Sequence, residues 1–299
     1  MIRRKELTVG ALAAVAFATA ISLQVFRDRW YPRDDPQREQ ILYVTSGSAL
    51  KRIALSFDAV LADVYWIRAI QHYGGERLAG AKAQTKYQVL YPLLDLTTTL
   101  DPYFNIAYRF GAIFLSEAYP GGPGRPDQSV ALLRKAITVM PNKWQYYHDI
   151  GFVYYWRQRD YKTAAEWFQR AASQPNAPNW LTPLAASMLT HGNDRAAARF
   201  LWQQIAKSEE AWLRRSAERS LLQLQALDQI DQLEAVARKF PPPAGEPYSW
   251  AELMKRRILV GYPADPAGAP YLIDPVTGRV RVSEQSPLFP MPEEPRPIQ

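Results

Sequence analysis

Three histidines, His72, His148 and His191, are the first places to look for acid–base or metal chemistry in this chain. A zinc site needs two or three such ligands on one helix face, as in His-Glu-x-x-His. None of the three has a second histidine or a carboxylate at that spacing. Each reads as structural or exposed. The stretch GGERLAGAK (Gly74 to Lys82) approaches a phosphate-binding loop. Ala81 stands where the phosphate-contacting lysine belongs, and neither a preceding strand nor a following Ser/Thr is present, so it reads as an inter-helix turn. There is no cysteine, which excludes disulfides, thiolate ligands and a cysteine nucleophile. No Gly-x-Ser-x-Gly elbow occurs, and the carboxylate pairs Glu209/Glu210 and Glu293/Glu294 read as solvated faces. Acid, base and nucleophile share no common context, so the sequence points away from an enzyme and calls for no cofactor or metal.

The elements that carry these residues then become the question. Of the 299 residues, 47% are apolar and 22% charged, enough for a sizeable core and too few charges for a disordered polyelectrolyte. The net charge is +7, but Lys and Arg are scattered. The densest cluster, Lys255, Arg256 and Arg257, is three long, and that excludes a nucleic-acid face.

The first segment is of another kind. After MIRRKE come twenty uncharged residues, Leu7 to Phe26. At ~1.5 Å per residue they span about 30 Å as a helix, the thickness of a bilayer's hydrocarbon core. Arg3, Arg4 and Lys5 precede the run, while the charges that follow it roughly cancel, so the positive-inside rule leaves the N-terminus in the cytoplasm and the bulk of the chain outside. The expectation is a basic tip and transmembrane anchor at 1–26 and a polar linker at 27–44. Ala18 to Ala20 also has the small-x-small form of a cleavage site, so a signal peptide is the rival reading. The apolar run continuing past that point favours the anchor. Either way the rest of the chain is exported, and the expected location is a bacterial inner membrane with a periplasmic bulk.

From 45 to 240 apolar residues recur at helical spacing, with little strand-type alternation. Within it HDIGFVYYWRQRDYKTAAEWFQRAASQP carries Tyr147, Gly151, Tyr154, Tyr161, Ala164, Phe168, Ala171 and Pro175 at set offsets. This resembles the tetratricopeptide repeat, with one extra residue in the turn (Arg157 to Arg159) and one missing before Pro175. Small Gly151 and Ala164 let two helices approach, Tyr154 and Phe168 fill the gap to the next pair, and Pro175 ends the second helix. Weaker copies flank it: Gly111 leads to Ala136 across a Gly/Pro-rich turn, and Ala185 and Ala186 lead to Ala198 and Trp202. Looser hairpins are expected at Ala54–Pro102 and Glu209–Phe240. The resemblance implies an all-α solenoid of helical hairpins that binds other proteins along its concave face. Six of the nine Trp lie between Trp144 and Trp212, at the helical period expected of inter-helix packing. The alternative is a groove lined by Tyr146, Tyr155, Arg157 and Arg159 that takes a partner's peptide or helix.

Beyond Pro241 the composition shifts, with thirteen of the 24 prolines in the last 59 residues. Ser249 with Glu252 reads as a capping box for a short helix. GYPADPAGAPYLIDPVTGRVRV, through Pro263, Asp265, Pro266, Gly268, Pro270, Tyr271 and Gly278, resembles the soluble end of type II secretion major pseudopilins. The segment 241–283 is then a small helix plus a β-hairpin. Ala267 replaces that family's usual aromatic, and the pilin processing motif is missing, so the chain is not itself a pilin subunit. The resemblance would give Asp265 and Asp274 a calcium role, against a plain turn-capping role. The tail 284–299 has Pro-x-x-Pro spacings at Pro287/Pro290 and Pro292/Pro295, compatible with a polyproline ligand, and otherwise reads as frayed. Together these features imply a membrane-anchored extracytoplasmic scaffold for protein partners, with type IV pilus or type II secretion assembly as the machine. An accessory subunit of an inner-membrane transporter or other membrane complex, and an envelope ligand-binding protein, are the alternatives.

Overall fold

The computed structural model describes residues 2–30, 47–78 and 87–293; the side chains of 2–11, 28 and 48 lie outside it. Residues 31–44 of the expected linker, residues 45 and 46, residues 79–86 with the Ala79–Lys82 end of the glycine-rich stretch, and the last six residues therefore also lie outside. Among the described residues the fold is all-α, twelve helices with two two-residue strands. Helix α1 is Ile2–Trp30, α2 Gly47–Ile53, α3 Asp58–Leu78, α4 Leu90–Leu100, α5 Asn105–Ser116 and α6 Pro126–Val139. Helix α7 is Trp144–Val153 and runs into a π-helical turn, Tyr154–Gln158. Then come α8 Tyr161–Ala172, α9 Leu181–His191, α10 Arg195–Ile205, α11 Ala211–Lys239 and α12 Trp250–Lys255, with β1 Leu272–Ile273 and β2 Val280–Arg281.

Among the described residues no helix is long and apolar enough to cross a membrane. In α1 the described side chains start at Leu12, so Leu7 to Ala11, the first part of the uncharged run, do not contribute to that statement. The apolar side chains that are described there, Leu12, Val15, Phe17, Ile21, Leu23, Val25 and Phe26, all stand exposed.

From α3 to α11 each helix packs on its neighbour within that run. The glycine and alanine positions govern how closely they approach. A Cβ at Gly151 would stand 2.7 Å from the Phe168 ring and 3.2 Å from the Ala164 carbonyl on α8. A Cβ at Gly111 would meet Leu94 at 2.8 Å and Leu132 at 3.0 Å. Ala136, Ala164, Ala171 and Ala198 are fully buried, and Phe168 and Trp202 share a core with Ala164 and Ala198. Tyr147, Tyr154 and Tyr161 are half-buried, and Tyr154 touches both large core clusters. Pro175 lies three residues beyond the end of α8.

Two turns share one construction. Asp160 caps α8 by accepting from Thr163 N at 3.0 Å, and Asp194 caps α10 by accepting from Ala197 N at 3.1 Å. The residue before each, Arg159 and Asn193, is left-handed, with φ of 53° and 58°. The two turns differ in one residue. Asp194 N donates to Leu189 O, five residues back, whereas Asp160 N donates to Tyr154 O, six back. The extra residue between Tyr154 and Asp160 is absorbed by the π-helical turn.

Two expectations need correction. Residues 211–239 form one helix and not a hairpin, since nothing in AWLRRSAERSLLQLQALDQIDQLEAVARK can break it: it has neither Gly nor Pro. Gly74 and Gly75 lie inside α3 and not in a turn.

The C-terminal segment shares a core with α11. Ala226 and Ile230 pack with Trp250, Leu253, Tyr271, Val280, Val282 and Leu288. Ser249 caps α12 by accepting from Glu252 N at 3.2 Å. Tyr271 Oη donates to Gln229 at 2.8 Å, and Val280 N donates to the Glu234 carboxylate at 3.0 Å. The hairpin pairs Leu272 with Arg281 and Ile273 with Val280. The frayed-tail expectation also needs correction as far as Glu293. Gln223 Nε2 donates to Leu288 O and Pro290 O, at 2.8 and 2.9 Å, and Arg219 donates to Phe289 O at 2.8 Å. Leu288 is buried beneath.

Candidate protein-binding groove

The odd-numbered helices α3, α5 and α7 carry apolar side chains that face outward. On α5 these are Ile106, Phe110 and Ile113, at spacings of four and three; on α7 and the π-helical turn that continues it they are Phe152 and Trp156, four apart, with His148 a turn before. Phe110 and Ile113 are 51% and 52% exposed, and Phe152 and Trp156 are 44% and 55%, so half of each large apolar side chain meets solvent. Helix α3 adds Val60, Val64 and Ile67. Its Trp66 stacks on Phe114 at 6.1 Å, which ties α3 to α5.

Between α5 and α7 lies a recess of about 260 Å³, lined by Ile113, Ser116, His148, Phe152, Trp156 and Arg157 among others. Its walls are held by ion pairs that span forty residues. Arg109 Nε and Nη2 grip Asp149 at 2.5 and 3.1 Å, and Arg157 pairs with Glu117. The same interval recurs one helix pair earlier, where Lys135 reaches Asp95 at 2.6 Å. Lys135 also donates to Thr98 and Thr99 hydroxyls at the C-terminal end of α4, where the helix dipole favours a cation. The hydrogen bond to Asp149 raises the Arg109 pKa above its ordinary value. His148 Nδ1 stands 3.1 Å from Asp149 Oδ1, and its ring lies 5.6 Å from Trp180. Both arginines of the recess, Arg109 and Arg157, are thus already engaged, by Asp149 and Glu117. The recess offers shape and apolar surface more than charge.

The four side chains expected to line the groove divide. Tyr146 is fully buried, edge-on to Tyr108 at 5.8 Å, with its hydroxyl toward Met140; it belongs to the core and not to a binding face. Helical geometry gives the reason: Tyr146, Ile150 and Val153 form the inward stripe of α7, while His148, Phe152 and Trp156 form the outward one. Burial raises the pKa of Tyr146, and pushes Tyr108 up to about 12. Tyr155 is half-buried against Phe152, Trp156 and Tyr161. Arg157 does line the recess, and Arg159 is exposed at the turn. Sequence reasoning read His148 as structural or exposed and did not place Phe152, Trp156 and Ile113 in the groove. The spacing of four from His148 to Phe152 to Trp156 is the signal that marks them.

Other candidate chemistry is accounted for by local bonds. Asp265 Oδ1 accepts from Ala267 N and Ala269 N, and its Oδ2 accepts from Ser286 Oγ. Asp274 Oδ1 accepts from Val276 N, Thr277 N and Thr277 Oγ1. Both carboxylates therefore act in turns, and no group of three His, Cys, Asp or Glu suited to a metal occurs among the described residues. His72 is buried in α3. Burial lowers its pKa, with the Arg68 charge adding to the effect.

Comparison with family models, curated proteins and solved structures finds no match to this chain.

Proposed function

We propose that this protein is a membrane-anchored scaffold whose stack of tetratricopeptide-like helical hairpins presents an apolar groove to a protein partner outside the cytoplasm. The observation that carries the reading is the outward stripe on α5 and α7, Ile106, Phe110, Ile113, Phe152 and Trp156, each more than two-fifths exposed. A monomer rarely leaves so large a contiguous apolar patch open unless something binds there. Spacings of four and three on α5, and of four on α7 and its π-helical continuation, suit an amphipathic helix laid across them. The exposed apolar side chains of α1 and the basic residues before them support the anchor and its orientation. Pilus or secretion assembly as the host machine rests on the pseudopilin-like C-terminal segment alone.

A second reading, a permanent subunit of a transporter or other inner-membrane complex, draws on α3. There Val60, Val64, Ile67 and Ile70 extend the exposed apolar surface. The envelope ligand-binding reading has less behind it at this recess, whose volume of about 260 Å³ falls below the ~300–1,000 Å³ of ordinary small-molecule pockets.

The test is a crosslinked mild-detergent pull-down from native membranes with wild type, Ile113→Glu and Phe152→Glu. Recovery of pilus or secretion components that both variants abolish supports the scaffold. Stoichiometric recovery of a transporter moves the weight to the second reading. Identical recovery with all three proteins removes the groove from the account.

A further inference from the structure

The corner where α2 turns into α3 has two unlike sides. Inward, Leu50 and Ala54 are buried, Ala62 and Tyr65 continue that side along α3, and a Cβ on Gly47 would stand 2.7 Å from the Thr99 side chain of α4. The corner is therefore held hard against the stack. Outward stand Ile53, Leu55, Phe57 and Val60, each at least 57% exposed. Phe57 N donates to Ala54 O at 2.8 Å and closes a turn whose two central residues, Leu55 and Ser56, have φ of 48° and 73°. Glycine or asparagine would take that backbone with less strain. The stack gains no packing from a leucine side chain so fully exposed there, so its use lies outside the chain. Lys51 and Arg52, both exposed, immediately precede this apolar tip. The nearest acid, Asp58, is half-buried with its Oδ1 out of solvent, and Asp63 comes more than a turn farther along α3.

We propose that this corner docks on an anionic lipid surface, with Ile53, Leu55 and Phe57 entering among the acyl chains and Lys51 and Arg52 meeting the phosphate headgroups. Charge complementarity favours lipid over a protein partner: the two cations stand beside the apolar tip, where long basic side chains reach headgroups while their stems stay in apolar surroundings. The tip also asks for little else, since Ser56 alone between Ile53 and Phe57 carries a hydrogen-bonding side chain. Binding of this kind scales with buried apolar area plus attraction to anionic lipid, and the corner supplies both. Moreover, α2 is the first described element after α1, with sixteen residues between Trp30 and Gly47. The proposal takes its location from the anchored reading above and its chemistry from the corner alone. A stack tied to the bilayer at two places, by α1 and by this corner, would present the groove between α5 and α7 at a fixed attitude to the membrane.

Because the chain has no cysteine, Ser56→Cys, Ile21→Cys and Val276→Cys in the full-length protein each take a single bimane label. Each protein is reconstituted into vesicles of mixed phosphatidylcholine and phosphatidylglycerol, with and without a nitroxide on the acyl chain. The expected result is quenching by the nitroxide lipid at position 56 on the corner and none at position 276, in the exposed turn of the hairpin. Adding Lys51→Gln with Arg52→Gln, or omitting phosphatidylglycerol, should lower the docked-to-free ratio at position 56 roughly tenfold. The label on α1 separates this proposal from the anchor. Quenching at position 21 with none at 56 would overturn the docking and leave the anchor standing, and quenching at 56 with none at 21 would do the reverse. A label at 56 shielded from aqueous iodide yet untouched by the nitroxide lipid would also overturn the docking, by assigning the corner to a protein, a second copy included. Quenching at 56 indifferent to both charge changes would overturn the anionic surface.

Discussion

Replacing Gly151 by alanine sets two opposed magnitudes against each other. In an open helix the change should stabilise by about 1 kcal/mol, because alanine loses less backbone entropy than glycine. Gly151 is not in the open. Its new methyl would stand 2.7 and 2.8 Å from two carbons of the Phe168 ring, which is itself only 1% exposed, and 3.2 Å from a backbone carbonyl. Something must move, and neither a buried ring nor the α8 backbone moves freely. Overpacking of this kind costs about 1–3 kcal/mol, so the net expectation is a loss of roughly 1 kcal/mol. Gly74→Ala is the control, since a Cβ there meets nothing within 4 Å among the described residues and should give the propensity gain alone. The two variants should therefore differ by about 2 kcal/mol with opposite signs, read as shifts of the urea midpoint at constant slope. Adding Phe168→Leu to Gly151→Ala should recover part of the strain. If Gly151→Ala proved as stabilising as Gly74→Ala, α7 and α8 would not approach as closely as this account requires.

Removing Asp149 should loosen the wall of the groove: Asp149→Ala strips Arg109 of a two-point partner and His148 of its contact. A loss of about 1–2 kcal/mol is expected, toward the lower end because the Arg109 side chain is 38% exposed, and a double-mutant cycle with Arg109→Ala should return a favourable coupling. His72 has a lowered pKa in the folded chain, so the unfolded chain takes up its proton first on acidification. Stability should fall as pH drops below about 6.5 toward the lowered folded value, and His72→Asn should flatten that limb of a stability-against-pH curve. Arg159 sits at φ 53°, where a non-glycine residue pays ~1–2 kcal/mol. Arg159→Gly should be neutral to stabilising by up to about 1 kcal/mol in denaturant melts, the greater freedom of glycine in the unfolded chain cancelling the rest.

The helical spacing of apolar residues and the small residues at Gly111, Gly151, Ala164 and Ala198 made the all-α architecture legible, because close helix approach requires those residue types at those intervals. The capping box at Ser249 and the hairpin around Gly278 were legible for the same local reason. The helix over 211–239 was not, since repeat-like spacing continues there and only the lack of a breaker distinguishes one long helix from two short ones. Tyr146 and Trp156 show the other limit. Both are large aromatics on one element, and which of them faces the core depends on where neighbouring helices lie. The ion pairs Arg109–Asp149, Lys135–Asp95 and Arg157–Glu117 were in principle findable, because each joins opposite charges at the same forty-residue interval that separates Gly111 from Gly151. The docking of the tail depends on carbonyl oxygens, which carry no sequence signal at all.

The most direct test of the groove places a photo-crosslinking residue at Ile113 or Phe152, and at the exposed positions Ala131 and Glu166 on α6 and α8, in protein expressed in its native membrane. The account predicts one discrete protein adduct from Ile113 and Phe152, sensitive to the partner's presence, and none from Ala131 or Glu166. Adducts of equal yield from all four positions, or from α6 and α8 alone, would contradict it.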